Sequence, residues 1–363
     1  MMLLRGLVVC ATGLGAHVLP AQGETLRVAT FNAELQRDGP GLLYRDLTRG
    51  DSGQIAAVVR VIAETAPDIL ALQGIDWDHD GAALAALADL LAASGVAYPH
   101  RFAARPNSGM ATDLDLDGDG RLGGPGDAQG FGAFTGQGGL AVLSRHPILA
   151  DKVRDFSDLI WRDLPGAILP QHEDGSPYPS AEAQAAQRLS NTGHWIVPVA
   201  LPDGTILSVM TFHANPPVFD GPEDRNGRRN HDEILLWRKV LDGAFGDVPK
   251  AFVLVGDANL DPDDSAGRTE AIRALLADTR LQDPQPVSGG AGAMPDQGHG
   301  GANARDTVDW DGIGRFRVDY VLPSAALTVG DAGVYWPSPG EPGHEEALAA
   351  SRHRLVWVDL VLD

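Results

Sequence analysis

Five short polar clusters stand at the ends of apolar runs. They are Thr30-Phe31-Asn32-Ala33-Glu34, Thr211-Phe212-His213-Ala214-Asn215, Gly256-Asp257-Ala258-Asn259, Arg317-Val318-Asp319-Tyr320 and Ser351-Arg352-His353-Arg354. Between them they offer carboxylates, amides, two histidines and several arginines. That set suits hydrolysis of a phosphoester. The ester's negative charge repels hydroxide, so a site must bring cations or donors to the phosphoryl oxygens and a base or orienter to the water. A His–Asp pair holds one imidazole tautomer or stabilises the imidazolium, as an Asp319–His353 pair would. Taken singly, an Asp after a strand is more often a helix cap. Five clusters of complementary chemistry in one chain carry the reading.

The elements that must position these clusters follow from hydrophobic periodicity. Residues 26–31 read as a strand, and residues 54–64 carry Ile55, Val58, Val59 and Ile62 at helical spacing before Pro67 and the buried-type strand 69–72. An Ala/Leu-rich helix covers 82–93. Strands are expected at 140–144, 194–200 and 206–212, the last two joined by a hairpin at Pro202-Asp203-Gly204. A helix over 231–241, a strand over 251–255, a helix over 269–277 and strands over 316–322 and 355–361 complete the series. Mixed strands and helices of this kind suggest an α/β (α+β) chain of two mixed sheets between helical layers. Residues 105–138, 156–192 and 284–314 read as long insertions, of a length usually functional or ligand-ordered.

The clusters, in this order, resemble the endonuclease/exonuclease/phosphatase superfamily over residue 26 to the end, with the insertions outside the likeness. The resemblance implies a four-layer sandwich of two mixed β-sheets flanked by helices. It also implies metal-assisted hydrolysis of a phosphate mono- or diester, with Mg²⁺ or Mn²⁺ as the metal. By the same resemblance Asn32 and Glu34 match the first-strand polar pair, whose acidic member faces the metal. His213 matches the histidine that contacts phosphate or assists the leaving group, and Asn215 joins the substrate-binding set. Asp257 and Asn259 match a Gly-Asp-x-Asn motif that orients the attacking water. Asp319 matches the aspartate that bonds the last histidine, here His353. Residues 139–145 fit the family's central strand.

Two positions depart from that pattern. The second strand of the family ends Leu-Gln-Glu where this chain has Leu72-Gln73-Gly74, and the last motif reads Ser-Asp-His where it has Ser351-Arg352-His353. Glu34 is left alone among the usual acidic ligands, and one carboxylate anchors a hard cation poorly. Strand alternation brings Asp76 out on the face of position 74, so Asp76 is a candidate ligand beside Asn32 and Glu34. The other reading of residues 75–80 is a solvated acidic turn. Arg352, always charged, could instead bind a phosphoryl oxygen in the metal's stead.

Two further motifs stand out. Residues 216–233 concentrate Arg225, Arg228 and Arg229 just after His213, and such arginines suit an anionic substrate. The alternative is that they pair with Asp220, Glu223, Asp224 and Asp232. Asp115-Leu116-Asp117-Gly118-Asp119-Gly120-Arg121-Leu122 follows the first eight positions of an EF-hand loop, with Gly126 at the twelfth and Asp127 beside it. Asp115, Asp117, Asp119 and Asp127 are therefore candidate ligands of a structural Ca²⁺.

Charge and targeting narrow the choice. Residues 1–23 show a secretory pattern, with Arg5, a short apolar stretch and small residues at Ala21 and Gly23. Cleavage would remove Cys10, the one cysteine, and leave residues 24–363 as an exported, periplasmic or extracellular chain with no membrane span. The net charge is −21, and −22 without Arg5, which opposes a nucleic-acid backbone and favours a small anionic phosphate ester. Three readings remain: a phosphoesterase, a phosphate-binding protein that has lost turnover, and a secreted nuclease.

Overall fold

Alternation in the first strand sets the architecture. In β1 (Thr25–Asn32), Leu26 and Val28 enter one apolar layer while Ala29 and Phe31 enter another. A strand buried on both faces needs cover on each side. The structure, a computed structural model describing residues 25–362, provides it with a second sheet on one side and helices on the other. The first sheet has the order β12 (Thr328–Val334), β13 (Val356–Val361), β1, β2 (Ile69–Ile75), β4 (Gly139–Ser144) and β3 (His100–Phe102). The second has the order β11 (Asp319–Pro323), β8 (Phe252–Asp257), β7 (Ile206–His213), β6 (His194–Ala200) and β5 (Arg154–Asp155). A small antiparallel pair, β9 (Val308–Trp310) and β10 (Gly314–Phe316), belongs to neither sheet and bridges His353 through Val308.

Between the sheets, Val28, Ala71, Val142, Val209, Val253, Val255 and Val358 pack face to face. The outer face of the first sheet meets α1 (Leu42–Arg49), α2 (Gly53–Thr65), α3 (Ala82–Ala93) and the end of α8 (His344–Ala350) through Leu47, Ile62, Leu87, Leu91 and Ala350. That of the second meets α5 (Arg225–Leu241) and α6 (Glu270–Leu276) through Ile234, Trp237, Ile272 and Leu275. The expected four layers are present. Local signals explain the element ends: Ser52 caps α2 by accepting from the Ile55 amide at 3.3 Å, and Pro67 follows its close.

The structure departs from the sequence reading in three places. Helix α5 begins at Arg225 rather than near 231, because its first six residues contain no large apolar side chain to mark the period. Strand β12, Thr-Val-Gly-Asp-Ala-Gly-Val, lies at a sheet edge with a bulge between Val329 and Ala332, and its glycines erase the apolar alternation. The insertions hold short elements, α4 (Ala181–Ala186), α7 (Gly289–Gly292) and the β9–β10 pair. The secretory pattern lies outside the described residues, among which no helix is long and apolar enough to cross a membrane.

The first two insertions are tied to each other and to the start of α5. Asn107 donates to the Ser157 and Ser190 carbonyls at 2.7 and 2.9 Å and accepts from Arg188 at 2.9 Å. Arg229, only 3% exposed, donates to the carbonyls of Gln129, Arg188, Leu189 and Ser190. A guanidinium so placed orders two long loops with one side chain. We expect Arg229→Ala to destabilise the protein to urea by at least about 3 kcal/mol, since several buried acceptors at about 1–3 kcal/mol each lose their donor. A loss under about 1 kcal/mol would show that the insertions are ordered without it.

Candidate active site

The polar row arises from strand register. β7 and β8 run parallel with His213 opposite Asp257, and β8 and β11 run antiparallel with Asp257 opposite Asp319. The three residues therefore stand side by side across the second sheet. They share the face of Val209, Val253, Val255 and Val321, which packs into the inter-sheet core. The same holds in the first sheet, where the inward positions of β1 run Leu26, Val28, Thr30, Asn32. One end of the inter-sheet core is thus apolar and the other polar. Asn32 closes the gap, its side-chain amide donating to Asp257 Oδ2 at 3.0 Å.

Both oxygens of Asp257 are engaged. Asp257 Oδ1 accepts from the Asn259 amide at 2.8 Å, and Oδ2 lies 3.3 Å from His213 Nε2. Asn259 takes a left-handed backbone (φ 49°) that turns its side chain back to the Ala214 carbonyl at 2.9 Å. Burial opposes ionisation of Asp257, but His353, His213 and Asn32 together draw its pKa below the usual value. His353, 3% exposed, donates from Nδ1 to Asp319 Oδ2 at 3.0 Å and stands 3.8 Å from Asp257 Oδ2. Burial alone would lower the His353 pKa; the facing carboxylates of Asp319 and Asp257 outweigh it and push it up to about 9. Burial also raises Asp319, to about 6, against the pull of His353. The imidazolium is the proton-bearing member near neutral pH.

Thr307 is a site residue that the sequence reading missed. Its hydroxyl donates to Asp319 Oδ2 at 2.8 Å and accepts from the Val318 and Asp319 amides. Nothing marks a threonine inside a glycine-rich insertion. Glu233 was also missed: buried in α5, it accepts from the Asn215 and Asn191 amides, both at 2.6 Å, and fixes the chain after His213. Asn215 itself bonds the Pro216 carbonyl at 2.8 Å.

The residues expected around a metal do not converge. Among the described residues, the acidic and histidine groups close enough to share an ion are Asp257–Asp319–His353 and Asp115–Asp117–Asp127. Glu34 and Asp76 are in neither. Glu34 Oε1 accepts from Arg352 Nε at 2.8 Å and from Arg352 Nη2, while Oε2 accepts from the Arg352 amide at 2.8 Å and Ser351 Oγ at 3.1 Å. Asp76 is a loop clamp, its two oxygens accepting from the Arg37 and Gly138 amides at 2.9 and 3.0 Å, and burial raises its pKa to about 6. Gly74 has φ +70°, and a Cβ there would lie 2.5 Å from Asn32 Oδ1. The backbone at position 74 is shaped for glycine, so a carboxylate cannot be set there without moving the strand end. Asn32, Glu34 and Asp76 therefore do not fit a divalent cation. Asp257, Asp319 and His353 lie close enough to share an ion, and they are bonded to one another and to Asn32, Asn259, His213 and Thr307.

The arginines after His213 lie in or at the first turns of α5. Arg225 donates to the Leu116 carbonyl, and Arg228 to the carbonyls of Glu223 at 3.1 Å and Leu169 at 3.5 Å. Arg229 is buried on carbonyls and offers no face to a substrate. These contacts tie the trio to the insertions, and they withdraw Arg229 from the substrate role expected of all three. In the EF-hand-like segment, Asp115, Asp117 and Asp127 converge, while Asp119 stands outside the cluster and accepts from the Arg121 amide at 2.8 Å.

Comparison with known proteins agrees with this fold. The solved structures similar to this chain include endonuclease/exonuclease/phosphatase proteins from Beutenbergia cavernae, Leptotrichia buccalis and Bacteroides vulgatus. The first is 22% identical, covers 93% of this chain and 72% of its own, and has a TM-score of 0.53. The second is 17% identical over 93% and 100%, with a TM-score of 0.52. The third is 14% identical over 94% and 100%, with a TM-score of 0.50. At these identities they show the shared fold. No curated protein matches the chain. The pattern of the Endonuclease/Exonuclease/phosphatase family, whose enzymes hydrolyse phosphoester bonds and typically use a divalent metal, matches residues 29–353, and the chain belongs to that family.

Proposed function

We propose that this hydrolase cleaves a small anionic phosphate ester outside the cytoplasm. The observation that carries the reading is the buried Asp257–His353–Asp319 set facing Asn32 and His213. A protein that only held phosphate would gain nothing from Asp257, which repels it. In this reading Asp257 and Asn259 orient the attacking water, His213 meets the leaving group, and His353, kept protonated by Asp319, stabilises charge on a phosphoryl oxygen. The net charge of −21 supports a small ester over a nucleic acid. The secretory pattern of residues 1–23 supports export, and a mature N-terminus near residue 24 in the exported protein would bear it out; retention of residue 1 would not.

The central test is turnover of p-nitrophenyl phosphate and bis-p-nitrophenyl phosphate, with DNA as the competing substrate. Asp257→Asn and His353→Ala should each lower turnover by about 10²–10⁴-fold while circular dichroism stays unchanged. The wild-type rate should rise as Asp319 ionises near pH 6 and fall as His353 loses its proton near pH 9. Undiminished turnover in either variant would remove the assignment, and faster cleavage of DNA than of either ester would favour the nuclease.

The Mg²⁺ or Mn²⁺ expected at Asn32, Glu34 and Asp76 has no converging acidic pair there, since Glu34 holds Arg352 and Asp76 holds the Arg37 and Gly138 amides. The cation we propose is a structural Ca²⁺ at Asp115, Asp117 and Asp127, supported by their EF-hand-like spacing and convergence. Ca²⁺ should raise the thermal midpoint by mass action, and Asp117→Ala should abolish most of the rise. A midpoint unchanged from micromolar to millimolar Ca²⁺ would dismiss the site.

A further inference from the structure

We infer that Arg352, seated on Glu34, supplies the positive charge that a divalent cation supplies in the family's pattern, so that the hydrolytic site binds phosphate without a metal. The inference rests on the phosphoesterase reading and concerns where its cation comes from.

Arg352 grips Glu34 with Nε, Nη2 and its own backbone amide, and Ser351 Oγ donates to the same carboxylate. The guanidinium is thereby fixed one residue from His353. Its Nη1 makes no hydrogen bond among the described residues, and the side chain is 56% exposed, so a planar donor edge remains open to an anion. Glu34 acts here as a holder of arginine. The neighbouring strand end cannot restore an acidic ligand, because Gly74 has the left-handed backbone and the 2.5 Å approach to Asn32 Oδ1 already described.

Charge balance points the same way. Glu34, Asp257 and Asp319 face Arg352, His353 and the buried Arg354, whose guanidinium lies over Trp336 at 4.2 Å, while Asp309 and Asp311 stand near Arg354 and Arg352. With Leu-Gln-Glu and Ser-Asp-His in place of the present residues, two carboxylates would be added and one cation lost, a deficit that calls for an added cation. The two replacements remove it. The competing view is that Arg352–Glu34 is a partly exposed ion pair of little consequence.

The test uses the full chain carrying Asp117→Ala, which silences the loop cluster, after exhaustive treatment with EDTA. Inorganic phosphate is titrated by calorimetry, hydrolysis of the two nitrophenyl esters is followed, and Mg²⁺ and Mn²⁺ are titrated separately. We expect EDTA to leave phosphate affinity unchanged, neither metal to bind below millimolar concentration, Arg352→Gln to weaken phosphate at least tenfold, and Arg352→Lys to recover part of the loss. An unchanged thermal midpoint would show that the Arg352→Gln variant is folded. Phosphate binding lost to EDTA and restored by Mg²⁺ would overturn the inference, as would an Arg352→Gln protein of wild-type affinity. Phosphate held through Arg352 by a protein that cleaves neither ester would uphold the inference while removing the hydrolytic reading.

Discussion

Two carboxylates, Asp257 and Asp319, occupy opposed positions on neighbouring strands with no exposure to solvent, and the rest of the site depends on making that tolerable. Like charges so close and so dry cannot both persist without compensation. The imidazolium of His353 bridges them, Asn32, Asn259 and His213 attend Asp257, and Thr307 attends Asp319. Such an arrangement does not stabilise the fold cheaply. A buried pair broken on one side typically costs about 3–5 kcal/mol, whereas apolar residues could fill the same space at no loss. A cluster of this cost is explained by chemistry and not by packing.

The sandwich provides the place for it. Valines fill the interior between the sheets along most of each strand, and the same inward register ends in Asn32, Gln73, His213, Asp257 and Asp319. Gln73 accepts from Thr30 Oγ1 at 3.0 Å, so even the polar positions one pleat deeper are matched across strands. The side chains that carry chemistry are extensions of a rigid core, which holds them more exactly than a free loop would. The insertions add the outer support: Thr307 comes from one of them, and Glu233, which fixes the chain after His213, is bonded to another through Asn191.

Much of this was legible in the sequence because the site sits where apolar runs stop. His213, Asp257, Asp319 and His353 each follow or precede a strand whose hydrophobicity is unmistakable, and register brings them together. Reading failed where the signal was not periodic. The first turns of α5 contain arginines and asparagines that gain their partners from distant loops, so charge suggested a substrate where the structure uses Arg229 as a staple. Asp76 was aligned by simple alternation with position 74. The bulge between Gln73 and Ile75 and the left-handed backbone at Gly74 break that alternation, and Asp76 turns to the Arg37 and Gly138 amides.

The two departures from the family's pattern meet at Glu34. Gly74 and Glu34 both take left-handed backbones, and the space that a side chain at 74 would need is held by Asn32 Oδ1, the Glu34 amide at 3.0 Å and Gln36 Oε1 at 3.1 Å. That path delivers the Glu34 carboxylate to Arg352 and the Ser351 hydroxyl, whose single proton is shared with the Asn32 carbonyl at 2.7 Å. An aspartate at 352 would place a second carboxylate against Glu34 with no cation between them. A glutamate at 74 would displace Asn32 from Asp257 and leave that buried carboxylate short of a donor. Both present residues thus bear on Glu34, Gly74 by leaving room beside its amide and Arg352 by seating its carboxylate, so each shapes the same position.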